Sequence, residues 1–308
     1  MKRAQLERFT AKNVAEAELA NRLKRGELAL FLGAGVTSSY GVPTWASLVD
    51  ACCTRIKGVA PLGASSPPST QQILDKTDEI RRACKGIPGF MTVVSKALYG
   101  THHSAKTDFD GTPLMRALGV AMMGGSRGSI QDVVTVNFDS LLESHLQLHG
   151  YITQSIASLP CLEKGADVRI YHPNGYLPQD ASFGERSDPK EFIFDSLSFD
   201  KRLGDSNGPW NNMVRGLLLR KIGLVIGLST SEDFVRTTVK SVQDQIEPTD
   251  RPVCFWLLSK TDKDGIAVSD LNLNCERLLE RGSIPVILDS FDDYPKFIFD
   301  ICKRAAQI

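Results

Sequence analysis

Four short polar clusters, each directly after an apolar run, hold the residues of this chain most able to do chemistry. Gly33-Ala34-Gly35, followed by Val36 and Thr37, comes straight after the run LALFL at 28–32. Glycines in such a turn let backbone N–H groups approach a phosphate, and a following helix N-terminus adds favourable partial charge. The pattern stops short of GxGxxG, because Ser38 stands where the third glycine would be, and nothing resembles GxxxxGK[ST]. The glycines alone therefore fit a plain strand-to-helix turn as well as a phosphate site. Asn137-Phe138-Asp139 follows DVVTV (132–136); polar side chains at the end of a strand sit where open α/β sheets bind ligands, and Asp139 can equally cap the next helix. His172-Pro173-Asn174-Gly175 follows 168–171, and a neutral imidazole can take up a proton near pH 7, although a lone loop histidine is more often structural or solvated. Gly227 and Ser229 form a second small-residue turn, able to line the same crevice or simply to cap a helix.

The elements that must position these clusters are legible as alternating helices and strands. A helix is expected over 14–24, capped by Asn13 with Glu16 reaching back and stopped by Gly26. Thr44 is placed to cap a helix running from Trp45 towards Lys57, with Gly58 ending it. Prolines 61, 67 and 68 then mark a loop, and helical stretches at 70–84, 91–98 and 113–123 suggest a helical insertion or small subdomain over about 59–128. Strands are expected at 132–136, 152–156, 168–171, 222–228, 253–258 and 284–288, with a further one at 192–194. Helices are expected at 141–148, 209–219, 232–246, 271–281 and from Tyr294 to the end. Such alternation implies a Rossmann-like α/β fold, a mostly parallel sheet covered on both faces, within one domain spanning 1–308.

Composition narrows the function. The 308 residues carry 36 basic and 36 acidic side chains, so no global field favours direct nucleic-acid binding, and basic residues cluster only in pairs such as Arg81-Arg82 and Lys201-Arg202. The seven cysteines are scattered without C-x-x-C, which argues against a disulfide framework and a zinc ribbon and for a reducing cytoplasm. No stretch has the character of a signal peptide or a membrane span. His102-His103 lack ligand spacing and have no cysteine nearby, so a solvated loop is expected there, not a metal site.

Four of these segments, in this order, resemble the sirtuin-like NAD-consuming domains of bacterial antiphage defence systems. GAGVTSSYGVPTW is similar to their GAG-x-S…P-x-W turn, TVNFD to T-x-N-[YF]-D, IYHPNGYLP to their histidine and glycine segment, and IGLSTSEDF to a later G-x-S…D turn. The resemblance covers about 27–288, with the helical insertion unmatched. It implies that Gly33, Ala34, Gly35, Val36 and Thr37 surround the NAD pyrophosphate, that Asn137 and His172 flank the nicotinamide ribose as the catalytic pair, that Asp139 supports the site, and that Gly227 and Ser229 lie near the adenosine half. Asn137 would orient a water or a ribose hydroxyl, and His172 would accept its proton. Trp45 would either cover the nicotinamide or belong to the core.

The chain departs from that family in places. Thr37 replaces the usual serine, Val136 stands where protein-deacylating sirtuins have glutamine, and their paired zinc-binding cysteines are missing. The implied activity is thus NAD hydrolysis to nicotinamide and ADP-ribose, with no metal, in preference to deacylation or ADP-ribosyl transfer. A nucleotide sensor or scaffold subunit is the reading from another class. An NAD-depleting activity would need restraint, and the resemblance implies control by homo-oligomerisation or by a separate HerA-type ATPase or Argonaute-like partner.

Overall fold

All five residues of Leu28–Leu32 are buried, and they form the central strand of the molecule. The computed structural model describes residues 6–63, 68–84, 86–100, 111–162, 164–188, 191–230, 232–245, 251–261 and 265–308. The strands are β1 (Leu28–Leu32), β2 (Asp132–Thr135), β3 (Thr153–Ile156), β4 (Val168–Tyr171), β5 (Ile222–Ile226), β6 (Cys254–Ser259) and β7 (Ser283–Leu288). They form one sheet in the order β3-β4-β2-β1-β5-β6-β7, with every pairing parallel. Leu30 faces Val133 on one side and Leu224 on the other. The chain fills one half of the sheet through β4 before crossing to β5, so the order reverses at β1. In open α/β sheets a ligand crevice opens at that point, beyond the carboxyl ends of the strands.

The helices are α1 (Lys12–Lys24), α2 (Trp45–Cys53), α3 (Thr70–Ala83), α4 (Ile87–Tyr99), α5 (Pro113–Met122), α6 (Leu141–Leu148), α7 (Ser196–Arg202), α8 (Pro209–Arg220), α9 (Asp233–Gln245), α10 (Leu271–Glu280) and α11 (Tyr294–Gln307). Strand side chains alternate between two cores, as a period of two requires. Leu28, Leu30 and Leu32 join the larger core with α1, α5 and α11, whereas Ala29 and Phe31 join the smaller one with α8 and α9. Each fully buried Leu or Phe of this kind contributes about 1.5–3 kcal/mol. The helices between 59 and 128 share the larger core: α5 packs on α11, and α2 packs on α3 and α4. At the amino ends of the strands, Asp132 is buried and bridges Arg169 Nε at 2.8 Å and Lys221 Nζ at 2.7 Å, joining β2, β4 and the start of β5.

Several local expectations are corrected. Asn13 does not cap α1; the helix starts two residues earlier, from Ala11, whose carbonyl accepts from the Val14 and Ala15 amides. Thr44 occupies the cap position of α2, yet its hydroxyl bonds Ser47 Oγ at 3.2 Å and makes no backbone cap, and the helix ends at Cys53, well before Gly58. Residues 192–194 form no strand. Phe192 and Phe194 instead pack edge-on against Phe90 and tilted against Phe138, with centroids 4.7 Å apart for Phe138 and Phe192, and the Ile193 amide donates to Asn174 O. Residues 196–202 form α7, which had no apolar signal strong enough to announce it; Asp195 caps it through a reciprocal bond with Ser198 and pairs with Arg81. His102-His103 lie outside the described residues.

Candidate functional site

The two glycine turns meet backbone to backbone. Gly33 N–H donates to Ile226 O at 3.1 Å and Gly35 N–H to Gly227 O at 3.0 Å. A Cβ on Gly33 would lie 2.5 Å from Gly227 O, and one on Gly35 2.8 Å from Gly227 Cα. Gly227 itself has φ +68°, and a Cβ there would meet Val36 N at 2.8 Å. Contact between the ends of β1 and β5 thus already demands glycine at all three positions. The Val36 and Thr37 amides bond back to Gly33 O and Ala34 O, which leaves Ala34 N–H as the one amide of this turn with no partner among the described residues. A 3-10 turn at Ser38–Tyr40 follows, and α2 begins only at Trp45, whose half-buried ring packs against the larger core. Ser229 O accepts the Glu232 amide ahead of α9.

Asn137 stands at the carboxyl end of β2, next to this junction, with its orientation determined by its partners. Its Nδ2 donates to Gly33 O at 3.1 Å and to Thr37 Oγ1 at 3.4 Å, which leaves Oδ1 pointing away from two acceptors. Thr37 Oγ1 donates in turn to Asp139 Oδ2 at 3.3 Å, and Asp139 Oδ1 accepts from Leu141 N at 3.1 Å. Asp139, one residue before the cap position Ser140, therefore both takes up the first amide of α6 and supports Thr37. It is 4% exposed, and burial pushes its carboxyl up to about 6, with the Leu141 N–H opposing and the nearby Glu143 adding to the rise.

The segment after β4 is zipped onto the segment after β2. Asn174 Nδ2 donates to Val136 O at 3.1 Å, His172 Nδ1 lies 3.1 Å from Asn137 O, and Leu177 N donates to Phe138 O at 2.8 Å. Three successive carbonyls are thereby held. Gly175, at φ +105° and crowded by Phe192, makes the turn that brings this about. His172 is 0% exposed, and its ring lies 4.4 Å from that of Tyr176. A carbonyl only accepts, so Nδ1 carries a hydrogen and donates it to Asn137 O. Nε2 is 2.7 Å from Glu143 Oε1, so both nitrogens are engaged inside the protein.

Sequence reasoning named Asn137, Asp139 and His172, and the structure brings them together with Thr37. It missed Glu143 and Tyr99, and named Asn174 only within the polar cluster after β4. Tyr99 O–H, from α4, donates to Leu177 O at 2.7 Å and accepts from Ser140 N at 3.0 Å, fastening the helical region to the site's frame. Glu143 sits in LLESHLQL, and the one available signal was an acid between Leu142 and Leu146 on a helix with few other charges. Among the described residues, no group of three or more His, Cys, Asp or Glu is arranged to hold a metal, and no helix is long and apolar enough to cross a membrane.

A parallel seven-stranded sheet whose order reverses at β1, with polar side chains gathered at the carboxyl ends of β1 and β2, is an architecture that binds ligands at that point. The family model for the SIR2-like domain matches residues 131–285, about half of the chain, and the chain belongs to that family. The match spans Asn137, Asp139, Glu143, His172, Gly227 and Ser229; the Gly33 turn precedes it. No curated protein matches the chain.

Proposed function

We propose that the chain is an NAD hydrolase that cleaves the nicotinamide N-glycosidic bond to give nicotinamide and ADP-ribose. Membership in the SIR2-like family fits NAD-related activity, and the observation that carries the finer reading is the fixed amide of Asn137. Cleavage develops positive charge on the ribose, so the site needs a neutral, pre-oriented acceptor that can hold a ribose hydroxyl or a water in line. Asn137 Oδ1 is such an acceptor, because Gly33 O and Thr37 Oγ1 keep Nδ2 inward. In the step, water oxygen bonds to ribose C1′, the C1′–N bond breaks, its electron pair returns to the nicotinamide ring, and a proton leaves the water. With no nitrogen of His172 free, this reading has that histidine hold Asn137 in place, and the proton goes to solvent or to another group. Gly33 to Thr37 would run along the pyrophosphate, with Ala34 N–H as the available amide, and Gly227 and Ser229 along the adenosine half.

We further propose the biological setting that the sequence resemblance implies: a regulated NAD-depleting effector of antiphage defence, acting as a homo-oligomer or with a HerA-type ATPase or Argonaute-like partner. The engaged nitrogens of His172 and the inward-bonded glycine turn favour one alternative, a subunit that binds NAD as a sensor or scaffold without cleaving it. Incubating the purified chain with NAD, alone and with candidate partners, and resolving the products by chromatography separates the two. Release of nicotinamide and ADP-ribose by wild type but not by Asn137→Ala supports hydrolysis; binding with NAD unchanged supports the alternative.

A further inference from the structure

Glu143 is 0% exposed, and its Oε1 serves both His172 Nε2 at 2.7 Å and Ser155 Oγ at 3.0 Å. Its Oε2 is buried and has no partner among the described residues. A carboxyl group placed inside a protein with an orphaned oxygen is costly, so it persists only where something offsets the cost. Stability alone is a poor explanation, since an apolar side chain of similar size often does as well in such a position.

The chain of contacts running outward from Glu143 supplies the reason. Because Nδ1 of His172 must donate to Asn137 O, a single proton is shared between Nε2 and Oε1, whichever side holds it. The Glu143 carboxyl therefore fixes the ring at its far end, while Tyr176 lies against its face. The ring in turn holds the middle one of the three carbonyls that fasten the end of β2, and that carbonyl belongs to Asn137 itself. Glu143 and His172 are fully buried, whereas the Asn137 side chain, pinned to Gly33 and Thr37 at the carboxyl end of β2, is half-buried.

We propose that Glu143 is a positioning residue for the crevice: acting through His172, it holds the main chain of Asn137 so that the Asn137 amide keeps its orientation. This inference rests on the hydrolase reading for its kinetic consequence, and on geometry alone for its structural one. A Gln at 143 can still bond Nε2, whereas a Leu fills the space and bonds nothing.

The test uses the full chain with Glu143→Leu, Glu143→Gln and His172→Ala. The His172 Nδ1–H proton is followed by NMR in histidine-labelled protein, with His172→Ala giving the assignment. NAD consumption is measured in parallel. The slow exchange of that proton is expected in wild type and in Glu143→Gln and is lost in Glu143→Leu. The rate of NAD consumption falls roughly 10²-fold in Glu143→Leu, as small misplacements of a positioned group do, and recovers at least about tenfold of that in Glu143→Gln, with KM little changed. A folded Glu143→Leu protein that keeps the slowly exchanging proton overturns the proposal. If wild type consumes no NAD, the hydrolase reading fails, while the NMR result still decides whether Glu143 holds His172.

Discussion

Gly227→Ala and Gly26→Ala together test whether the two glycine turns are held by backbone contact. Both glycines have φ +68°, so an alanine at either pays the same left-handed penalty of about 1–2 kcal/mol and gains the same small amount through the unfolded chain. Their surroundings differ completely. A Cβ at 26 meets nothing within 4 Å, whereas one at 227 lies 2.8 Å from Val36 N and 3.0 Å from Gly35 Cα, both main-chain atoms that cannot swing aside. Overpacking of this kind costs about 1–3 kcal/mol, and that is the expected excess of Gly227→Ala over Gly26→Ala. For 308 residues the unfolding entropy is roughly 0.6 kcal/mol/K, so the two variants should differ by about 2–5 °C in Tm. Urea unfolding gives the free-energy difference directly, with unchanged m-values as the check that both variants unfold in the same way. Equal destabilisation of the two variants would refute the claim that β1 and β5 end in a glycine-only junction.

Three further outcomes follow from the same geometry. Asp139→Asn should flatten the pH dependence of stability: the folded carboxyl is raised to about 6 from 3.8, so its contribution is fully present below pH 3.8 and is lost as pH rises through 6. The loss in wild type is roughly 2–3 kcal/mol, and parallel stability curves for wild type and variant between pH 4 and 7 would count against it. Asp132→Asn should destabilise by about 1.5–3 kcal/mol in urea unfolding without changing NAD binding by calorimetry, because its two charged partners lie at the opposite end of the strands from the crevice. Tyr99→Phe should cost about 1–3 kcal/mol for the buried groups it leaves unpaired, Leu177 O and Ser140 N, and should raise amide exchange at 138–140 and 177; unchanged exchange there would show that α4 does not brace the site.

The sheet and most of its helices were readable because their signals are local and periodic. LALFL is uniformly apolar and reads as a central strand, and α6 and β4 fall exactly where the apolar run and the turn residues set them. The failures have equally local causes. Asn13 and Thr44 carry capping side chains, but Asn13 falls inside the helix that Ala11 starts, and Thr44, although at the cap position with extended backbone, directs its hydroxyl to Ser47 Oγ; composition reports neither. Phe192 and Phe194 have strand-like spacing, yet their partners are two aromatic rings from distant segments, so tertiary packing took precedence over pattern. At the crevice the sequence gives residue types at strand ends and hence names Asn137, Asp139 and His172. It cannot give the direction of their hydrogen bonds. The glycines of the first turn are required by Gly227, which lies almost two hundred positions later in the chain, and Glu143 is invisible as a partner of His172 until α6 is packed against β3.

That distinction decides which substitutions can report on chemistry. Loss of activity in His172→Ala would show little about proton transfer, because removing the ring also frees Asn137 O and strands the buried Glu143 carboxyl. The same holds for Gly33, Gly35 and Gly227, whose side-chain space is filled by one another's main chain. Asn137 is different. Its backbone carbonyl, held by His172, stays in place when the side chain is cut to alanine, and the groups released are Gly33 O and the Thr37 hydroxyl, the latter still able to bond Asp139. A folded Asn137→Ala protein that binds NAD but does not consume it therefore isolates the chemical role of one amide from the architecture around it, and a variant that consumes NAD at the wild-type rate removes that amide from the reaction altogether.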